Sequence, residues 1–139
     1  MSRATVLFYV QHLLGIGHVK RAVTLARAMR DEGLEVVVVS GGEDVPVIDA
    51  GGMNFVQLPP VRAADKSFKV LLDESGKTID EAWKARRRDL LLDLFQRTNP
   101  RVLVIELFPF GRRQLRFELI PLLDATRAAR PRPAIVSSV

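Results

Sequence analysis

Two residues in this chain have the type and setting for proton chemistry. His18 follows a glycine pair in Gly15-Ile16-Gly17-His18-Val19-Lys20-Arg21, and Glu106 closes the apolar run Val102-Leu103-Val104-Ile105. A neutral imidazole can take a proton from a hydroxyl near neutral pH. If His18 opens a helix, the positive end of the helix dipole disfavours its charged form and keeps it competent as a base. A carboxylate on a neighbouring strand tip can hold the second ring nitrogen, fix the tautomer and stabilise the imidazolium that forms. His18 is therefore read as a general base and Glu106 as its catalytic partner. A plainer arrangement stays open, in which His18 only caps the helix and Glu106 pairs with Arg112 or Arg113. His12 precedes the turn and is read as structural.

Gly15 and Gly17 allow a tight turn and leave backbone amides open to a ligand at a helix N-terminus, so both are read as substrate-binding. Two familiar phosphate fingerprints nevertheless fail. A dinucleotide pattern needs a third glycine where Lys20 stands, and an acidic residue where the chain has Ser40-Gly41-Gly42. A P-loop needs Gly-x-x-x-x-Gly-Lys-Ser/Thr; the glycine turn after the first strand lacks it, and Gly76-Lys77-Thr78 has Leu71 where the first glycine belongs. NAD binding and nucleotide hydrolysis are thereby disfavoured. Arg112 and Arg113 follow Gly111, which lets their loop approach a ligand; they are read as substrate-binding, with plain surface solvation as the alternative. The chain has no cysteine and only 2 histidines. Disulfides, thiolate metal sites and cysteine nucleophiles are excluded, and no metal site is expected.

The elements that would carry these residues alternate in type. Val6 to Val10 reads as a buried strand, and Val19, Ala22, Val23, Ala26 and Met29 recur at helical spacing up to a stop at Gly33. Val36 to Val39 is a second buried strand, Val45 to Ala50 a short helix, and Phe55 to Leu58 a third strand ended by Pro59-Pro60. Within the irregular stretch 61–78, Lys69 to Leu72 and Lys77 to Ile79 suggest a small hairpin about the turn Asp73-Glu74-Ser75-Gly76. A long helix runs from about Asp80 to Thr98 and stops at Asn99-Pro100, with Trp83 and Leu90 to Phe95 as its core. Val102 to Ile105 is the next strand. Gln114 to Ala129 reads as a helix in which Pro121 marks a kink or a new start, and Ala134 to Val136 is a last strand. The order predicts an α/β fold, a Rossmann-like doubly wound parallel sheet with helices on both faces. Ligands of such sheets sit beyond the carboxyl ends of the strands, where strand order reverses. There the tips after the first strand and after Val102–Ile105 should meet in one crevice.

The chain has 139 residues, the size of one domain, with 47% hydrophobic and 27% charged residues, which places it in the globular class. The net charge is +5, and it is uneven. Residues 1–60 sum to −1 and residues 61–139 to +6, mostly through Arg86-Arg87-Arg88, Arg112-Arg113 and the Arg127 to Arg132 stretch. Such asymmetry suits an anionic partner, although arginine-rich helix faces are commonly just solvated. No aromatic residues interleave with these arginines as a stacking platform would require, so a nucleic-acid partner is not expected. No apolar run reaches the ~18 residues of a membrane span, and no signal peptide is recognised. The expected location is the cytoplasm, with contact to a membrane surface only a minor possibility. The sequence stops on a strand, which suggests the first half of a longer protein.

Leu7-Phe8-Tyr9-Val10, the Gly15-Ile16-Gly17-His18-Val19-Lys20-Arg21 turn and Ala26-Arg27-Ala28-Met29 together resemble the amino-terminal domain of GT-B glycosyltransferases. That group includes the peptidoglycan GlcNAc transferase and sugar-nucleotide-dependent transferases of plants and bacteria. Glu106-Leu107-Phe108-Pro109-Phe110-Gly111-Arg112-Arg113, with Glu118 to Leu123, is similar to a bacterial group of predicted glycosyltransferases. The resemblance implies two facing Rossmann-like domains, of which residues 1–139 form the acceptor-binding one and a carboxyl-terminal donor domain is absent. It implies that the histidine at the position of His18 deprotonates an acceptor hydroxyl, helped by an acidic residue, in an inverting, metal-independent transfer. The nucleotide-sugar is then a co-substrate, and no cofactor is expected. The first turn carries fewer glycines than that of the peptidoglycan enzyme, and Glu106 matches the acidic helper of the plant enzymes only loosely. Two other readings stay open. One is a related nucleotide-sugar hydrolase or epimerase, and the other a non-catalytic α/β binding module.

Overall fold

The computed structural model describes residues 4–13, 17–44, 54–108 and 112–138. Strand β1 (Thr5–Val10) leads to helix α1 (Gly17–Asp31), strand β2 (Glu35–Ser40) and strand β3 (Asn54–Gln57). Two short strands follow, β4 (Arg62–Ala63) and β5 (Leu71–Leu72). Helix α2 (Glu81–Thr98) precedes strand β6 (Val102–Glu106), and a single 3-10 turn (Arg113–Leu115) runs into helix α3 (Arg116–Ala128) and strand β7 (Ala134–Ser138). The predicted short helix at Val45 to Ala50 lies outside the described residues.

Five strands form one parallel sheet in the order β3-β2-β1-β6-β7. Strand order reverses between β1, followed by a connection to β2 on one side, and β6 on its other side. This is the Rossmann-like, doubly wound arrangement expected from the alternating elements. Side chains alternate along each strand, so the sheet has two apolar faces. Val6, Phe8, Val10, Val36, Val38 and Val104 pack with Val19, Ala22, Val23 and Ala26 of α1. Leu7, Tyr9, Val37, Val39, Leu103 and Ile105 pack with α2 and α3 through Leu91, Leu94, Phe95, Leu119 and Leu122. The runs read as continuous hydrophobic sequence because both faces of the central strands are covered.

Element ends follow local chemistry. Gly33 takes φ +93° just beyond α1, and the N–H groups of Gly33 and Leu34 return to the carbonyls of Arg30 and Met29, a glycine-terminated helix end. Asp80 caps α2 by accepting from the Trp83 N–H at 2.8 Å. Asn99 closes the same helix in the left-handed region, its N–H on the Phe95 carbonyl. The expected hairpin across Asp73–Gly76 reduces to one bridge, Leu72 to Thr78, while β5 pairs on its other side with β4, a partner not expected from the sequence. The turn is held by Asp73, whose carboxylate accepts from Ser75 and from the Lys77 N–H, with Gly76 at φ +84°.

Two expectations need correction and one is narrowed. Leu90 is 44% exposed rather than core, because it shares the solvent face of α2 with Arg86, Asp93 and Arg97. Of the two alternatives for Pro121, the new start is not taken, since Pro121 stands inside α3. Arg87, read as part of a solvated arginine run, is completely buried.

Candidate functional site

Helix α1 begins at Gly17 with no acidic side chain in its first turn, so its own sequence leaves the positive helix end uncompensated. A side chain at Gly17 would meet nothing within 4 Å, and its φ is not left-handed. The tight-turn reason for glycine therefore does not apply here; what Gly17 provides is bare space at the helix terminus. Gly15 and Gly111 lie outside the described residues.

His18, one residue into α1, presents a side chain that is 39% exposed, while the Glu106 side chain is 1% exposed. His18 Nδ1 lies 3.2 Å from Glu106 Oε1. The parallel pairing of β1 with β6 brings them together, since it aligns the tips of the two strands on the same edge. With Glu106 ionised, Nδ1 carries the proton that bonds to it, and Nε2 is left with a lone pair. Arg21, one turn further along α1, puts a guanidinium nitrogen 3.6 Å from the same carboxylate oxygen and donates to Ser138 Oγ at 3.2 Å. Glu106 thus faces His18 and Arg21, whereas the alternative pairing with Arg112 or Arg113 is not formed. Glu106 Oε2 is buried without a hydrogen-bond partner.

Beyond Glu106 the backbone is unusual. Leu107 adopts φ +67° and Arg112 φ +62°. Neither residue is glycine, and left-handed bulky residues cost roughly 1–2 kcal/mol each. Such strain persists where surrounding contacts over-determine it, commonly beside sites. The Leu107 N–H bonds to the Ser138 carbonyl at 2.7 Å, and Ser137 Oγ donates to the Phe108 carbonyl at 2.7 Å. Those bonds tie the start of the loop to β7.

Arg112 and Arg113 behave differently from each other. Arg112 is half-buried, and its Nε donates to the Gln11 carbonyl at 2.8 Å. Burial pushes its guanidinium below the ordinary value, opposed by Tyr9 and Glu106. Arg113 is exposed at the start of the 3-10 turn. Arg112 therefore has a wall-building contact beside its proposed ligand role.

His12 is 6% exposed, and its Nδ1 has no partner. Burial holds its pKa below the ordinary imidazole value, with Arg112 and His18 acting in the same sense and Glu43 against them. Its ring fills the place where a side chain on Gly42 would stand, 2.3 Å from the position of that missing Cβ. Arg112 and His18 both act on the His12 ring, and the three follow the strand ends at the carboxyl edge of the sheet.

A buried polar cluster beneath this edge was not foreseen. Arg87, Glu118, Tyr9 and Gln11 are all within 1% of full burial. Tyr9 donates to Glu118 Oε1 at 2.5 Å, and Arg87 Nε lies 3.0 Å from Glu118 Oε2, close enough for an ion pair but not aligned as a straight hydrogen bond. Burial raises the pKa of both Glu118 and Tyr9, and the Glu118 charge lifts Tyr9 further. The available signal was an arginine at the heptad-like spacing Trp83, Arg87, Leu91, Leu94, on the buried stripe of α2.

Among the described residues, no group of three or more His, Cys, Asp or Glu could hold a metal ion, and no helix is long and apolar enough to cross a membrane. No known family model matches the chain, and no curated protein matches it in sequence. Its structure is similar to that of SsfS6, a glycosyltransferase from Streptomyces sp. SF2575, with a TM-score of 0.56 at 19% sequence identity. The likeness covers 88% of this chain and 37% of that one. At that identity it establishes the fold, a Rossmann-like unit found in a glycosyltransferase. It does not extend to the peptidoglycan GlcNAc transferase group.

Proposed function

We propose that this chain is the acceptor-binding half of a GT-B glycosyltransferase, one that moves a sugar from a nucleotide-sugar to a hydroxyl acceptor. The observation that carries the reading is the 3.2 Å approach of His18 Nδ1 to the buried Glu106 carboxylate at the carboxyl edge of the sheet. Nε2 of His18 takes the acceptor proton as the acceptor oxygen bonds to the anomeric carbon. The bond from that carbon to the nucleoside diphosphate breaks, and the electron pair leaves with the diphosphate. A single displacement of this kind inverts the anomeric centre and draws on no metal for the proton transfer. Glu106 holds the tautomer and stabilises the imidazolium. Arg112 and Arg113 are proposed to meet an anionic part of acceptor or donor. A second Rossmann-like domain, carrying most of the donor site, faces the crevice in the intact enzyme.

The test is His18→Ala in the intact polypeptide, assayed with nucleotide-sugars by release of nucleoside diphosphate and by product analysis. Loss of a positioned general base costs roughly 10²–10⁴-fold in turnover. Near-normal turnover with a folded variant would reject the base assignment. Sugar appearing only as the free hydrolysed product, with or without acceptor alcohols, would replace the transferase reading with a hydrolase one.

A further inference from the structure

The buried arginine of α2 reaches the carboxyl edge of the sheet from behind. Arg87 NH1 donates to the carbonyls of Gly41 and Pro59, each at 3.1 Å, which follow β2 and β3. Its NH2 donates to Gln11 Oε1 and, at 3.5 Å, to the Tyr9 hydroxyl. Nε faces Glu118 of α3 at 3.0 Å. One planar fork therefore joins the ends of three adjacent strands to two helices. The fit is close: a Cβ on Gly41 would come within 1.8 Å of Arg87 NH2.

The contact with Gln11 carries this geometry to the crevice. With its oxygen held by Arg87, the Gln11 amide nitrogen donates to the His12 carbonyl at 2.8 Å and to the Val61 carbonyl at 3.1 Å. The Gln11 carbonyl accepts from Arg112. The same bonds that orient Gln11 thus seat His12 against Gly42 and Arg112 over the turn.

We infer that Arg87, ion-paired to Glu118, is a positioning residue: it sets the Gln11–His12 turn and, through the Gln11 carbonyl, the Arg112 guanidinium at the carboxyl edge of the sheet that also carries His18. The inference rests on the proposed transferase reading for its functional consequence, though not for its geometry. Arginine is required because only a guanidinium offers five donors in one rigid plane. Lysine keeps the charge beside Glu118 but concentrates its donors on one atom, which cannot span Glu118, Gln11 and the two carbonyls together.

Two variants separate positioning from simple support of the core. Arg87→Lys keeps a cation beside Glu118. The pair Arg87→Met with Glu118→Leu removes both buried charges together, an exchange that cores tolerate far better than loss of one partner. Amide and imidazole NMR signals of the 139-residue chain report the geometry, and acceptor kinetics of the intact enzyme report the consequence. The expected result is displacement of the Gln11, His12 and Gly42 signals in both variants. It is accompanied by a fall of roughly 10–100-fold in kcat/KM for the acceptor, the scale of a small misplacement near reacting groups, and the fall lies mainly in KM. Unmoved His12 and Gln11 signals in folded variants would overturn the inference. So would displaced signals with unchanged acceptor kinetics. If the parent enzyme transfers no sugar at all, the proposed function fails, and the NMR comparison still decides whether Arg87 sets the crevice.

Discussion

His12 and Gly42 form a lock-and-key pair, because the ring occupies the volume that any larger residue at position 42 would need. A buried imidazole with a depressed pKa binds its proton more readily in the unfolded chain. Its contribution to stability is therefore complete above the ordinary value of 6.5 and declines as pH falls from there toward the lower folded-state value. We expect the thermal midpoint to drop as pH is lowered from 7 to 5, and His12→Gln to flatten that slope; an unchanged slope in the variant would assign the pH dependence elsewhere. The His18–Glu106 part of the candidate site was legible at this scale, since a histidine at a helix start and a strand-terminal glutamate are locally distinctive, whereas the role read into Gly17 was not. The juxtaposition of His18 with Glu106 needed only strand order. Arg87 and Glu118 were not legible, because each is charged and their burial depends on two helices packing back to back. Arg21 was passed over for a similar reason: its nearness to Glu106 follows from one turn of α1 and from the position of β6 together.

Helix α2 owes its start to Asp80 and its stop to Asn99, both visible in sequence as a polar residue before an apolar-periodic run and an Asn-Pro pair after it. Asp80→Ala leaves the Trp83 N–H without its carboxylate and should cost about 1 kcal/mol, read as a lowered urea midpoint at constant slope. A midpoint equal to that of the parent would mean that Trp83 packing alone fixes the helix entry. The ends of β2 and β6 extended one residue past the predicted strands, to Ser40 and Glu106, because ladder pairing continues as long as a partner runs alongside. Sequence pattern cannot report that partner. At Pro121 local propensity left a kink and a new start as alternatives: the ring removes one helix donor, and α3 continues through it, with Leu119 and Leu122 fully buried on either side. Packing against α2 outweighs the roughly 3 kcal/mol that an interior proline costs.

At the scale of the molecule, the two sides of the sheet differ. One face is covered by α2 and α3. On the other, α1 covers the β1–β2 side, while Val136 of β7 remains 45% exposed. From Val6 to Tyr9, β1 pairs with a neighbour on each side, and the strand is almost wholly buried from Val6 to Val10. Native-state hydrogen exchange should rank β1 and β6 as the slowest amides and β7 as the fastest strand of the sheet, since protection follows burial and pairing on both sides. Equal protection of β7 and β1 would show that the exposed edge is covered in solution. Alternating elements made the sheet legible, whereas the uneven coverage depends on where each crossover helix lands. The central position of β1 also bears on the order of assembly. Its Val6 pairs with Val36 on one side and with Val102 on the other, so a nascent polypeptide leaves one flank of this apolar segment unpaired until the Val102 region has left the ribosome. Loops that close only over such long spans slow folding, and during synthesis this segment is the part of the chain most in need of a chaperone.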